Sequence, residues 1–262
     1  ARVADGCGES RGFVCPYHAW TYGVDGRLVN RPEDAAFAGC PREAHGLTPL
    51  AAAERDGLLW VQPVPGQPLA PDAGLDRLQQ ELAHFNLGSF TPFETRVITR
   101  EMNWKLAVDT FLESYHFCVL HKDSICSIFH QNLATFDTYG EHFRLVSPRR
   151  TISQLREQPR ADWQVLPKLV VVYVLFPNTV LVWQGEQVEL WQVFPDGTNP
   201  ARSKLRLTLY APTPPTTDKA RAHWQRNLEL VLHVVENEDF PVGEGIQRSF
   251  GSGAQEHIVF GR

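Results

Sequence analysis

Asn103–His121 reads NWKLAVDTFLESYHFCVLH and brings Asp109, Glu113, His116 and His121 into one short stretch. Projected at 100° per residue, Trp104, Val108, Phe111, Leu112 and Tyr115 form an apolar stripe. Lys105, Asp109, Glu113 and His116 form a polar stripe roughly a quarter turn away. The spacing predicts a helix whose polar stripe borders its buried one and faces a cleft. His121 follows His116 by five residues, so an ideal helix does not carry both rings on one face. Either the helix ends or loosens between them, or the two histidines are unrelated. The first alternative predicts a mononuclear metal site and the second an ordinary helix.

The rest of the chain bounds the choice. It has 262 residues, 43% hydrophobic and 21% charged, with a net charge of −5. That is enough for one large domain or two smaller ones with a proper core. No basic stretch suggests a nucleic-acid surface. The longest apolar run, LVVVYVLF at 169–176, is too short for a membrane span and reads as a buried strand. The five cysteines are irregularly spaced. They predict no disulfide framework and suit a reducing, cytoplasmic compartment. The chain starts at Ala1 and stops at FGR after an apolar IVF strand, so both ends are expected to be cut.

Residues 1–66 read as a β-rich unit. CPYHAW at 15–20 is followed by TYGVDGRLV, where Asp25-Gly26 signals a hairpin, and by a strand at LLWVQPV. Cys15-x-x-His18 has metal-ligand spacing, although a buried cysteine beside a surface histidine fits it equally. Cys7 adds no familiar zinc spacing. Residues 67–262 form the second unit. A Pro/Gly linker leads into a helix at 75–85 and a strand at 94–102. A loop-rich region then places Ser124, Cys126, Ser127, His130 and Asn132 near an entrance. FRLVSPRRTI, LVVVYVLF, TVLVWQ, VELWQVFP and KLRLTLYAP read as an antiparallel meander, with turns at FPNT and Pro195-Asp196-Gly197. Tyr173, Phe176, Trp183 and Trp191 are expected in its core or in a pocket. Trp224, Leu228, Val231, Leu232 and Val235 mark a final helix over 217–250, which Pro241 should end or kink at Phe240. The carboxylates of Glu236-Asn237-Glu238-Asp239 sit at that break. They make either a solvated acidic turn or a cation site.

CPYHAWTYGVDGRL resembles the second half of a Rieske [2Fe–2S] motif, in which C-x-H precedes C-x-x-H by about sixteen residues. The matching first half would fall before Ala1. Asn103-Trp104-Lys105, Asp109 and Glu113-x-x-His116-x4-His121 resemble the mononuclear-iron helix of Rieske non-haem iron oxygenase α-subunits. The two half-motifs stand in the right order about a hundred residues apart. The resemblance implies an α+β fold: a partial β-rich Rieske domain, then a helix-grip (START-like) catalytic domain with a curved antiparallel sheet and a long C-terminal helix. It implies Cys15 and His18 as a [2Fe–2S] half-site. It implies Fe(II) on His116, His121 and Asp239, with Glu238 the alternative third ligand. Glu113 would link to the cluster of a neighbouring subunit in a homotrimer, and Asp109 would support the stripe or relay protons.

The implied activity is oxidation of an aromatic or quaternary-amine substrate by O2 at that iron, with electrons from NAD(P)H through a separate reductase or ferredoxin. Glu at position 113 resembles the branch that acts on quaternary amines. No nucleic-acid or membrane partner is implied. Two other classes keep part of the pattern: a non-catalytic helix-grip carrier, and a zinc hydrolase using the same His/His/Asp set without an H-E-x-x-H helix. Because this chain carries only one Cys-x-x-His half, it should give no Rieske-type EPR signal. Such a signal from these 262 residues would overturn the half-motif reading.

Overall fold

A computed structural model describes residues 1–69 and 72–259. The chain divides into two compact units, Ala1–Pro71 and Asp72–Arg262.

In the first unit, β1 (Gly12–Val14), β2 (Thr21–Gly23) and β3 (Leu28–Asn30) form an antiparallel sheet in that order. Its β2–β3 turn is the expected Asp25-Gly26 hairpin. Gly26 adopts φ +81°, and its N–H donates to the Gly23 carbonyl (2.9 Å). The strand expected at 58–64 is shorter: β4 (Ala52–Arg55) pairs with β5 (Leu58–Val61). Arg31 is buried between Trp20 and Phe37 and paired with Asp34 at 2.7 Å.

The second unit is a seven-stranded antiparallel sheet flanked by helices. Helix α1 (Ala73–Phe85) buries Leu75, Leu78, Leu82 and Phe85, the expected stripe. Asp72 caps it by accepting from Leu75 N–H (2.9 Å). Strand β6 (Thr91–Arg100) leads into α2 (Trp104–Asp109). Then follow β7 (Thr135–Tyr139), β8 (His142–Pro148), β9 (Leu169–Leu175), β10 (Thr179–Trp183), β11 (Val188–Asp196) and β12 (Asn199–Ala211). The order is β6-β12-β11-β10-β9-β8-β7, a meander from β7 to β12 closed on one side by β6. Strand β7 lies in the region read as loop. The segment after Pro148 leaves the sheet for a 310 turn at Arg150–Glu157.

Burial on both sheet faces explains the unbroken apolar run of β9. Val170, Val172 and Val174 join the main core with Val180, Val182 and Trp191. Tyr173 points the other way, with Phe85 of α1 at 5.8 Å, and Trp183 stacks on the same ring at 4.7 Å. Phe176 is 48% exposed and joins neither layer. Helix α3 (Asp218–Val234), capped by Thr217, packs Trp224 and Leu228 onto the main core. Ile258 and Val259, read as the start of a strand, are irregular, and Phe260 lies outside the described residues.

One expectation fails for a local reason. The helix over 103–121 stops at Asp109 and is followed by turns through His121. The Glu113 carboxylate accepts from the Tyr115 and His116 backbone N–H groups, so it competes with the helical ladder. The final helix is interrupted just before Phe240, where Pro241 was expected to act. It widens into one π turn, Val235–Asp239, and resumes as α4 (Phe240–Gly251). Pro241 has no N–H, and in an α-helix its ring would strike the Asn237 carbonyl; the π turn removes that conflict. The cysteine reading also needs correction, because Cys118 and Cys126 form a disulfide with an S–S distance of 2.04 Å. Cys7, Cys15 and Cys40 are free.

Helix α1 touches the β7–β8 turn at Gly74, where an added Cβ would lie 2.0 Å from the Tyr139 carbonyl oxygen. Gly74→Ala is expected to lower stability by about 2–3 kcal/mol through overpacking. Urea denaturation checks this, and an unchanged midpoint would sink it.

Candidate metal centre

The π turn faces the irregular segment after α2, and here the distant motifs meet. His116 Nε2 lies 3.5 Å and His121 Nε2 3.1 Å from Asp239 Oδ1. The rings are 4.9 Å apart, centroid to centroid. One ligand atom from each residue falls within 4.8 Å of the others, the one such grouping found among the described residues. His121 is buried, at 1% exposure, and His116 and Asp239 are partly buried. Two imidazoles and one carboxylate on one side of a cavity fit a facial triad, which leaves further coordination positions open.

Each imidazole is also held from behind. Glu113 Oε1 contacts His116 Nδ1. Glu238 Oε2 accepts from His121 Nδ1 at 2.5 Å and from Ser124 Oγ at 2.7 Å. A carboxylate on Nδ1 holds a proton there, so that Nε2 is the nitrogen a metal would take in place of its proton. Asp239 and Glu238 thus face opposite edges of one ring, because consecutive residues of a helical turn diverge in direction. The acidic turn suggested a choice between the two, and the structure uses both.

The charges couple. Burial disfavours the protonated imidazoles, but Asp239 and Glu113 outweigh it and raise His116 to about 9. His121 is raised in the same way, burial being outweighed chiefly by Asp239. Burial works against the Asp239 charge too, yet the two histidines hold its carboxyl below the usual range. The cluster already favours positive charge beside Asp239.

The centre is tied to the sheet by its flanks. Arg100 of β6 pairs with Glu236 of the π turn at 2.6 Å. The Asn103 backbone N–H donates to Gln247 Oε1 of α4 at 2.8 Å, and Asn103 Oδ1 caps α2 by accepting from Lys105 N–H (2.9 Å). The Cys118–Cys126 disulfide closes the loop that contains His121. Asp109 ends α2 and does not line the cavity; burial raises its pKa, with Lys105 opposing. Of the residues placed near an entrance, Ser124 instead holds Glu238.

A cavity of about 510 Å³ opens from the centre. Phe111, Phe117, Phe129, Val172 and Trp224 are among its walls, with Arg149, Gln184 and Glu189 as polar groups. A second concavity of about 430 Å³ lies beside α1. Three of its polar groups are tied together: Arg144 pairs with Glu81 and with Asp137 (2.7 Å), and Tyr173 OH donates to Glu81 (2.8 Å).

In the first unit, Cys15 and His18 lie on the β1–β2 turn. Backbone N–H groups of Tyr17 and His18 point at the Cys15 sulfur and lower its pKa, as suits a metal-binding thiolate. Among the described residues no further donor joins them.

Residues 87–262 match the family described as ring hydroxylating alpha subunit (catalytic domain), and residues 1–47 match the Rieske [2Fe–2S] domain. The chain belongs to the ring-hydroxylating alpha subunit family. The glycine betaine monooxygenase oxygenase subunit of Chromohalobacter salexigens is 33% identical over 126 residues, covering 47% of this chain and 28% of that protein. Chloroplastic choline monooxygenase of Beta vulgaris is 24% identical over 251 residues, covering 94% and 54%. This chain therefore spans about half or less of these relatives. A solved quaternary ammonium Rieske monooxygenase superposes with a TM-score of 0.79 at 18% identity, over 96% of this chain and 66% of the other. Naphthalene 1,2-dioxygenase with bound indole gives 0.63 at 16% identity, over 95% and 63%. Both share the fold.

The chain is expected to bind one Fe(II). His116→Ala and Asp239→Ala should abolish stoichiometric binding, and Glu238→Gln should weaken it roughly ten- to a hundredfold. Anaerobic titration with a chromophoric Fe(II) chelator as competitor checks this. Binding indifferent to His116→Ala would favour the carrier alternative.

Proposed function

We propose that this chain is part of the terminal oxygenase component of a Rieske-type oxygenase acting on an aromatic or quaternary-amine substrate. The observation that carries this reading is the convergence of His116, His121 and Asp239 on one cavity, with a glutamate behind each imidazole. On this reading the three side chains hold Fe(II) from one side, and the iron supplies the chemistry that activates O2. Glu113 and Glu238 orient the imidazoles and fix their tautomers. The apolar walls keep water from the reacting substrate. Cys15 and His18 hold one iron each of a [2Fe–2S] cluster in the longer protein.

Glu113 has a second task in this reading. Its side chain is 48% exposed, so one side meets His116 while another stays open to a neighbour. A Rieske-centre histidine of the next subunit in a homotrimer would meet it there, which gives electrons from a separate reductase or ferredoxin a short route to the iron. Asp109 is left to support the end of α2. Among the described residues no helix is long and apolar enough to cross a membrane, and no observation favours the zinc hydrolase.

In the complete protein, Glu113→Gln should slow electron transfer between the two centres at least tenfold while both metals stay bound. Single-turnover kinetics with a pre-reduced cluster, read together with metal content, checks this. Loss of the mononuclear iron would make Glu113 a ligand and sink the bridging role.

A further inference from the structure

The cavity contains a guanidinium that makes no ion pair with a described residue. Arg149 follows β8 and reaches into the cavity wall, half-buried. Its Nη2 donates to both the backbone oxygen (2.9 Å) and Oε1 (2.8 Å) of Gln184, and its guanidinium lies 5.1 Å from the centre of the Phe129 ring. These neutral partners fix its orientation without balancing its charge. Among the described residues no carboxylate lies within ion-pair distance of it, and its Nε and Nη1 have no hydrogen-bond partner. The nearby acid, Glu189 on β11, is 3% exposed and already engaged: Trp191 Nε1 (3.2 Å) and Gln187 Nε2 (3.4 Å) donate to its two oxygens. A guanidinium carries five donors in a planar fork that matches a carboxylate, and taking it out of water is costly unless an anion pairs with it.

The same cavity reaches the metal centre. Phe111, Phe117 and Trp224 line it there with Glu113, and Phe117 stands edge-on to His116 at 5.3 Å. Carboxylates and aromatic faces attract an alkylammonium group.

We propose that Arg149 is the receptor for the carboxylate of a betaine-type substrate, whose quaternary ammonium end is thereby directed toward the His116–His121–Asp239 centre. This rests on the oxygenase reading and narrows it, since a choline-type alcohol would leave the guanidinium unpaired. Gln184 is the positioning residue that aims the fork into the cavity.

Calorimetric titration of the anaerobic, Fe(II)-treated chain with glycine betaine and with choline tests this, with iron content measured on the same samples. The wild type should bind glycine betaine at least tenfold more tightly than choline. Arg149→Gln should weaken glycine betaine roughly ten- to a hundredfold while leaving choline within about twofold. Arg149→Lys, which keeps the charge but not the fork, should fall between, and it serves as the second variant if Arg149→Gln does not fold. Equal affinity for the two ligands in the wild type, binding of neither, or an equal loss of both in the variant would overturn the proposal, the last by making Arg149 a mere anchor of the β10–β11 turn. A wild type without iron that still prefers glycine betaine in an Arg149-dependent way would sink the oxygenase reading and leave the receptor standing.

Discussion

One carboxylate oxygen, Asp239 Oδ1, stands between two imidazoles that come from a different part of the chain, and the architecture of the second unit serves that placement. A largely enclosed carboxylate beside two imidazoles is costly unless each is matched by charge and hydrogen bonds. Here Asp239 faces both Nε2 atoms while Glu113 and Glu238 take the Nδ1 atoms. Every ring nitrogen has a carboxylate, so the rings have little freedom to turn. A metal ion placed among the three inner atoms would meet donors that are already aimed.

Holding that geometry needs two chain segments fixed against each other over more than a hundred residues of sequence separation. The sheet provides the reference frame. Strand β6 runs into α2 on one side, and its last residue, Arg100, clamps the π turn through Glu236. Asn103 ties the start of α2 to α4 through Gln247. Met102, fully buried between these elements, sits under Gly243, where an added Cβ would lie 2.7 Å from its sulfur. The close approach of α4 to the β6–α2 junction thus depends on a residue without a side chain. The π turn supplies the remaining adjustment. It relieves Pro241 and lets consecutive carboxylates at 238 and 239 reach opposite edges of one imidazole.

The cavity inherits its polarity from the same frame. Strand alternation puts Val172 and Val182 on the centre's side of the sheet and Tyr173 and Trp183 on the α1 side. The few polar groups on the inner face gather where β10 turns into β11, around Gln184, Gln187 and Glu189. Arg149 joins them from β8. The result is a largely apolar chamber whose wall carries the metal-site residues and also Arg149 with its amide neighbours.

The sequence by itself determined the elements whose signal is periodic or compositional. The stripe at 75–85, the β9–β12 meander, the Gly26 and Gly197 turns and the final apolar helix are all present. The resemblance carried by two half-motifs in order implied His116, His121 and Asp239 as a set, and the fold brings the three together. Tertiary structure decided the rest. The segment at 103–121 looked like a full helix because its apolar spacing is helical, but the Glu113 side chain takes the backbone N–H groups that would continue it. No pattern announced the pairing of Cys118 with Cys126, since linkage depends on where turns bring the sulfurs. Strand β7 was hidden because an edge strand needs only a weak pattern, its pairing with β8 being set by the tight turn at Gly140. The separate roles of Glu238 and Asp239 could not be read from adjacent acids. Which of two neighbouring carboxylates meets which nitrogen depends on the direction each leaves the helix, and only the packed π turn fixes that.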